Sequence, residues 1–403
     1  MEQDEKPRGI TIPSKNTLMR ASYRRSLTND ELLLLESGIF YYPVSVLETH
    51  LGEGEYNKRP AVTTTFNALR WLDNLEDGAL NDDEKPRLIQ RMVNGVIAEI
   101  VKRDSSEDIS DIIKGKDMVQ ITKGLVKGSR NESQRIFAEN FGRGVVLDEL
   151  HSFDRETKEY IEYACLGISS GMTEFLQRGE IQTTEQLDHY CHHVAGRIGS
   201  FLTRITRSKD KLSGNTSPQL RSADSERFGT FLQLVNIIQN VRQDHQEKRA
   251  YFPAMFRDPE ISHKTMVEGV GDDAKEARRV SLESMIAVTQ DRFADSIAYV
   301  LSIPGELRGY KTFNVMLLAS GKEMLETMRK AGAEKVFKGE QGAVQLSVPT
   351  LKNVYTFSSM LTRFPDRTTA WLEDYQRHPE DFTFKNGAFR KWSEKYTSRS
   401  HLL

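Results

Sequence analysis

Asp73, Glu76 and Asp77 fall within one stretch, Phe66-Asn-Ala-Leu-Arg-Trp-Leu-Asp-Asn-Leu-Glu-Asp77. Carboxylates at i and i+4 with a third between them make a patch of oxygen donors suited to Mg²⁺ when a phosphate supplies the remaining ligands. At about 100° per residue, a helix here gathers Phe66, Arg70, Asp73 and Asp77 into one arc and leaves Leu72 and Leu75 on the other side. A solvated helix face has the same composition, so the acidic stretch carries chemistry only if a second polar surface opposes it.

A second surface is present in Phe231–Glu247, FLQLVNIIQNVRQDHQE. On a helical wheel Gln233, Asn236, Asn240, Gln243, Asp244 and Glu247 share one side, and Leu234, Val235, Ile238 and Val241 the other. Asparagine costs about half a kcal/mol relative to alanine inside a helix, so amides in this stripe need a reason. Asn236, Asn240 and Asp244, at i, i+4 and i+8, align three side-chain oxygens as the second half of a divalent-metal site. A buried amide network between helices is the alternative. Arg249 and Tyr251, just before Phe252-Pro253, end the helix with a cation that a diphosphate would take. In Leu187–Arg204, Tyr190, Val194, Arg197 and Phe201 align at i, i+4, i+7 and i+11, while Gly196 and Gly199 permit close helix contact on the far side. His189, His192, His193 and Cys191 match no standard zinc spacing, because only His189 and His193 share a helical face.

The elements that must position these residues are helices. Apolar residues recur at helical spacing over 88–102, 112–126, 133–141, 157–177, 184–205, 225–246 and 273–302, and Asn29-Asp-Glu before Leu32–Leu35 starts a capped helix in the stretch 28–50,. Period-two alternation is confined to 334–339 and 343–348, read as a small hairpin or extended flap. Residues 1–30 read as a polar, basic arm, 31–370 as one all-α domain, and 371–403 as a C-terminal extension. The 403 residues are 38% hydrophobic and 28% charged with a formal net charge of -2, which argues against a nucleic-acid partner or a disordered chain,. Two cysteines, Cys165 and Cys191, are too few for a disulfide framework and fit a reducing compartment, the cytoplasm by default,. No window approaches a transmembrane span and the N-terminus lacks a signal-peptide core.

The ordered segments LRWLDNLED, YCHHVAGRIG and FLQLVNIIQNVRQD followed by RAYFP resemble those of the squalene/phytoene synthase family, nearest to squalene synthases. Gly171-Met-Thr-Glu-Phe175, Ser302-Ile-Pro304 and Val336-Phe-Lys-Gly339 extend the resemblance from about residue 60 to about residue 350. It implies an all-α isoprenoid-synthase-type bundle whose two acidic helices face each other across a central cavity, holding Mg²⁺ and the diphosphates of two prenyl substrates. By position it implies Asp73, Glu76 and Asp77 as metal ligands, Arg70 as a diphosphate-binding arginine, Gln233, Asn236 and Asp244 on the second motif's helix with Arg249 trailing it, and Tyr190 as the tyrosine that assists condensation. From their helix faces, Asn236, Asn240 and Asp244 are read as the opposing metal side, and Phe66, Gln233 and Arg197 as substrate contacts. The implied reaction joins two farnesyl diphosphates head to head through presqualene diphosphate, which NADPH reduces to squalene.

The departures are as specific. The second motif, usually of DxxED type, is Asn240, Gln243 and Asp244 here, and Gln239 stands where an arginine is expected. The serine-arginine-serine-phenylalanine segment upstream of the acidic helix is not readable, and Arg197 replaces a hydrophobic residue. A terpene synthase or non-reductive condensing enzyme is therefore the alternative, and an inactive prenyl-lipid-binding relative the third reading. No membrane anchor of the eukaryotic kind is present, so a bacterial-type enzyme or a shortened chain is expected, monomeric and with at most peripheral membrane contact for product release.

Overall fold

A capping box opens the helix formed by the N-terminal leucines. Thr28 Oγ1 accepts the amide N–H of Glu31 at 3.3 Å, and the Glu31 carboxylate accepts that of Thr28 at 2.9 Å,. In this computed structural model, which describes residues 15–22, 25–36, 59–212, 221–339, 344–378 and 384, that helix is α2 (Asn29–Glu36), preceded by α1 (Lys15–Ser22). Leu32 and Leu35 are fully buried.

The acidic stretch is the C-terminal half of α3 (Arg59–Asp77). Trp71 anchors it: the indole is fully buried, donates to the carbonyl of Phe137 at 3.3 Å, and meets the Phe141 ring edge-on at 4.4 Å between centroids. Its partners come from α5 (Glu132–Gly142), which follows α4 (Lys116–Gly128). Where α3 ends, Gly78 and Gly128 meet backbone to backbone. A Cβ on Gly78 would lie 3.2 Å from the Gly128 Cα, and Ala79 N–H donates to the Gly128 carbonyl at 3.1 Å.

Asp154 caps the long α6 (Arg155–Arg178) by accepting the amide of Thr157 at 2.8 Å, and Thr183 caps α7 (Thr184–Cys191),. A π-helical turn, His192–Gly196, joins α7 to α8 (Arg197–Leu212). The second polar stripe lies on α9 (Ser222–Gln246), which packs against α8, α10 (Asp272–Ser302) and α11 (Arg308–Ala331). The glycines anticipated for close contact serve it: a Cβ on Gly199 would lie 2.2 Å from the carbonyl oxygen of Ser225, so α8 and α9 cross with no room for a side chain. The fold is all-α, and the sole β feature among the described residues is an isolated parallel bridge between Glu180 and Ala250. No helix among the described residues is long and apolar enough to cross a membrane.

Three segment readings differ from the structure. Residues 334–339, expected to alternate as a hairpin or flap, lie mostly in a helix, α12 (Ala333–Lys338). Val336 and Phe337 are both buried, Phe337 against the Phe252 ring at 5.1 Å, and Arg278 Nε donates to Glu334 at 2.6 Å. Adjacent apolar residues buried together suit a short amphipathic helix, whereas a strand would send them to opposite faces. Residues 340–343 of the expected flap lie outside the described residues, and 344–347 lead into α13 (Val348–Leu361). The boundary at 370 cuts α14 (Pro365–Arg377), whose Trp371, Leu372 and Tyr375 are buried in the bundle, with Trp371 edge-on to Phe357 at 5.1 Å. The N-terminal arm is packed where it is described: Leu18 and Leu27 are buried, and Leu27 N–H donates to Asn140 Oδ1 at 3.0 Å. Residues 1–14, 23–24, 37–58, 213–220, 379–383 and 385–403, which hold the rest of the arm, extension and upstream segment, lie outside the described residues.

Candidate active site

The two polar stripes meet at their C-terminal ends. Arg249 closes the gap: Nη1 pairs with Asp77 Oδ1 at the end of α3, and Nη2 lies 3.4 Å from Asp244 Oδ1 on α9 and pairs with Glu247. A left-handed backbone at Lys248, φ 62°, turns the chain back over the helix end, and Arg249 N–H donates to the Asp244 carbonyl at 2.8 Å,. On the α3 side Arg70 Nη1 stands 3.4 Å from Asp73 Oδ2. The joint carries more carboxylates than arginines.

Burial sharpens that imbalance. Glu76 is 3% exposed, its Oε1 has no hydrogen-bond partner, and burial followed by the charge of Asp77 pushes its carboxyl well above the ordinary range,. Asp244 is pushed up to about 7, again chiefly by burial. Burial alone would lower the Arg249 guanidinium, but Tyr251, Asp77, Asp244 and Glu76 hold it above its usual value. Among the described residues no three or more His, Cys, Asp or Glu side chains are gathered so as to hold a metal ion by themselves. The donor set still fits a hard divalent cation in an open site, because it is all oxygen, short of positive charge and includes an unpartnered buried carboxylate oxygen,.

Beside the charges lies an aromatic stack. Tyr251 stacks on Phe175 at 4.4 Å and on Tyr190 at 4.8 Å, and the Tyr190 hydroxyl donates to the Tyr251 hydroxyl at 2.9 Å. Arg249 Nη1 donates to Tyr251 at 3.3 Å, so the stack and the carboxylates share one cation. The bridge at Glu180 and Ala250 sets this geometry. Ile181 N–H donates to the Ala250 carbonyl at 3.1 Å and Ala254 N–H to the Ile181 carbonyl at 2.9 Å, which lays the chain after α9 along the end of α6. Burial, then the Glu76 charge, raises the Tyr190 phenol well above its ordinary value, so it stays neutral at physiological pH.

Asp73, Glu76, Asp77, Asp244, Arg70, Arg249 and Tyr190 are therefore brought to one region. Phe66 is half-buried on the same arc of α3. Gln233 is half-buried on α9, and Asn240 Nδ2 donates to Asn236 Oδ1 at 2.8 Å, so these amides first satisfy each other. Arg197 sits elsewhere. The π turn shifts the register after Tyr190, and the Arg197 guanidinium lies 4.7 Å over the Tyr163 ring, with its stem against Gly167. Sequence reasoning missed Arg130, placed Glu247 on the polar side of α9 without a partner, and gave Phe175 and Tyr251 no role at the site. Arg130, from the loop between α4 and α5, pairs with Glu247 and donates to the Asp77 carbonyl. Nothing local marks Arg130, since its partners are 53 and 117 positions away.

Residues 56–350 match the family model described as Squalene/phytoene synthase. The chain belongs to the squalene/phytoene synthase family. Among its curated relatives, Squalene synthase clz20 of Cochliobolus lunatus is 26% identical over 245 residues, 59% of this chain and 56% of the relative. The squalene synthase of Yarrowia lipolytica is 32% identical over 156 residues, 34% of this chain and 33% of the relative. The matches thus span about half the length of these relatives or less. In fold the chain is similar to a solved complex of TcSQS with a ligand, with a TM-score of 0.62 at 17% identity over 94% of this chain and 96% of that one. It is also similar to a dehydrosqualene synthase in complex with a ligand, with a TM-score of 0.51 at 15% identity over 90% and 100% of the two chains. The squalene/phytoene synthase family comprises prenyl-diphosphate condensing enzymes.

Proposed function

We propose that this family member is a Mg²⁺-dependent prenyl-diphosphate transferase of the squalene synthase type. It joins two farnesyl diphosphates head to head through presqualene diphosphate to squalene, with NADPH as the reductant of the second step. The observation that carries this reading is the meeting of α3 and α9 through Asp77, Arg249 and Asp244, with the Tyr190–Tyr251 stack beside them. Asp73, Glu76 and Asp77 on one helix and Asn236, Asn240 and Asp244 on the other would hold the metal. Bound Mg²⁺ supplies positive charge to the departing diphosphate. Arg70 and Arg249 bind diphosphate oxygens, Gln233 offers an amide beside them, and Phe66 packs on the prenyl chain. The ring faces of Phe175, Tyr190 and Tyr251 stabilise allylic positive charge and exclude water from it. Tyr190, held neutral, keeps its proton on the hydrogen bond to Tyr251 and orients that hydroxyl.

A second reading, a terpene synthase-like or non-reductive condensing enzyme, is favoured by one observation: the α9 stripe presents Asn240, bonded to Asn236, and Gln243 where the family's second motif has carboxylates. One assay separates the readings. The protein is incubated with farnesyl and geranylgeranyl diphosphates, with and without Mg²⁺ and NADPH, and products are identified by mass. Squalene formed only with NADPH supports the first reading, and a product formed without reductant supports the second. No release of diphosphate leaves an inactive prenyl-lipid binder. The buried, unbridged thiols of Cys165 and Cys191 support a reducing compartment such as the cytoplasm,.

A further inference from the structure

Gln239 leaves the second motif without its expected cation, and the structure supplies one from another element. Arg130 lies outside both motif helices, on the loop held to the end of α3 by the Gly78–Gly128 contact. Its guanidinium touches the site at two points: Nη2 donates to the Asp77 carbonyl at the last turn of α3, and Nη1 pairs with Glu247 beyond the last turn of α9. Glu247 has only 6% of its side chain exposed and also pairs with Arg249 and accepts from Gln243 Nε2 at 3.1 Å. Two arginines thus share one carboxylate, and Arg130 keeps 39% of its side chain open to solvent. We propose that Arg130 is a second diphosphate-binding cation, with Glu247 holding its place until the substrate arrives. This rests on the diphosphate reading above. A diphosphate offers more oxygens and more charge than one carboxylate, and the fork of a guanidinium suits it better than an ammonium does. Arg130 then takes the part that Gln239 cannot, while Glu247 is the competitor that the ligand displaces.

The different responses expected of two variants test this. Binding of inorganic pyrophosphate, with Mg²⁺ present, is measured by calorimetry on the wild type, Arg130→Ala, Arg130→Lys, Glu247→Gln and Arg249→Ala, with the melting temperature of each ligand-free protein. Arg130→Ala is expected to weaken pyrophosphate binding about tenfold, Arg130→Lys to recover part of the loss, and Glu247→Gln to tighten binding or leave it unchanged. If Arg130 and Glu247 form only a brace between α3 and α9, both variants lower the melting temperature and weaken binding alike, which overturns the proposal. Wild-type binding lost in Arg249→Ala but unchanged in Arg130→Ala and Arg130→Lys also overturns it while sparing the diphosphate reading. No pyrophosphate binding by the wild type overturns both.

Discussion

Asp77 does two tasks at once: its side chain is the anchor of Arg249, and its carbonyl is the anchor of Arg130. Asp77→Asn keeps the carbonyl and removes the charge, and Asp73→Asn removes charge one turn earlier. Each is expected to lower turnover about a hundredfold or more, read as diphosphate release at millimolar Mg²⁺. Near-normal rates would make the acidic arc a solvated face. The eroded motif gives a second prediction. Gln243 donates to Glu247 at 3.1 Å, so restoring the family residues with Asn240→Asp and Gln243→Glu sets a new carboxylate against a buried one,. The double variant is expected to bind Mg²⁺ more tightly and to lose about tenfold in its native rate. Unchanged rate, metal affinity and product would place this stripe outside the reacting centre.

At the scale of elements, helix ends position the site. The C-terminus of α9 is closed by Lys248, a lysine at a left-handed position where glycine is favoured,. Lys248→Gly relieves the side-chain clash and adds some freedom to the unfolded chain, for a net gain of about 0.5–1 kcal/mol. Thermal unfolding should rise by a few degrees with Arg249 still delivered to Asp77. A loss of stability would mean that the turn is held by something other than its backbone preference. The π turn at His192–Gly196 works in the opposite sense on a neighbouring helix: it keeps Tyr190 on the site while turning Arg197 toward Tyr163,.

For the whole molecule, the joint of α3 and α9 ties stability to pH. Glu76 and Asp244 both carry raised carboxyls in the ligand-free protein, chiefly through burial. The folded state holds these protons after the unfolded chain has released its own, so the folded state binds more protons and unfolding free energy falls as pH rises. This contribution is fully present below the unfolded carboxyl range and is lost as pH climbs through about 7, the Asp244 value, toward the higher one of Glu76. Denaturant titrations at acidic, neutral and mildly alkaline pH should show the decline, and Glu76→Gln, which cannot ionise, should flatten it. A profile that is flat in the wild type would mean that these carboxyls are better solvated than their burial indicates.

Much of this architecture was legible in the chain because helices are local. Apolar spacing on residues 66–77 and 231–247 predicts which face is buried, and the wheel that gathers Arg70, Asp73 and Asp77 needs no knowledge of a partner. Gly196 and Gly199 likewise announce a close crossing before its partner is known. The chain did not reveal which ends would meet. Arg130 reaches the site only because loop and helix ends pack glycine on glycine, and Tyr251 joins Tyr190 only through the bridge between Glu180 and Ala250. The pair Val336-Phe337 reads as alternation in isolation and becomes a helix because the helices packed around it bury both side chains. Helical periodicity is set by bonds four residues apart, whereas the charge balance around Arg249 is set by groups brought together from distant parts of the chain, and only the tertiary structure decides that.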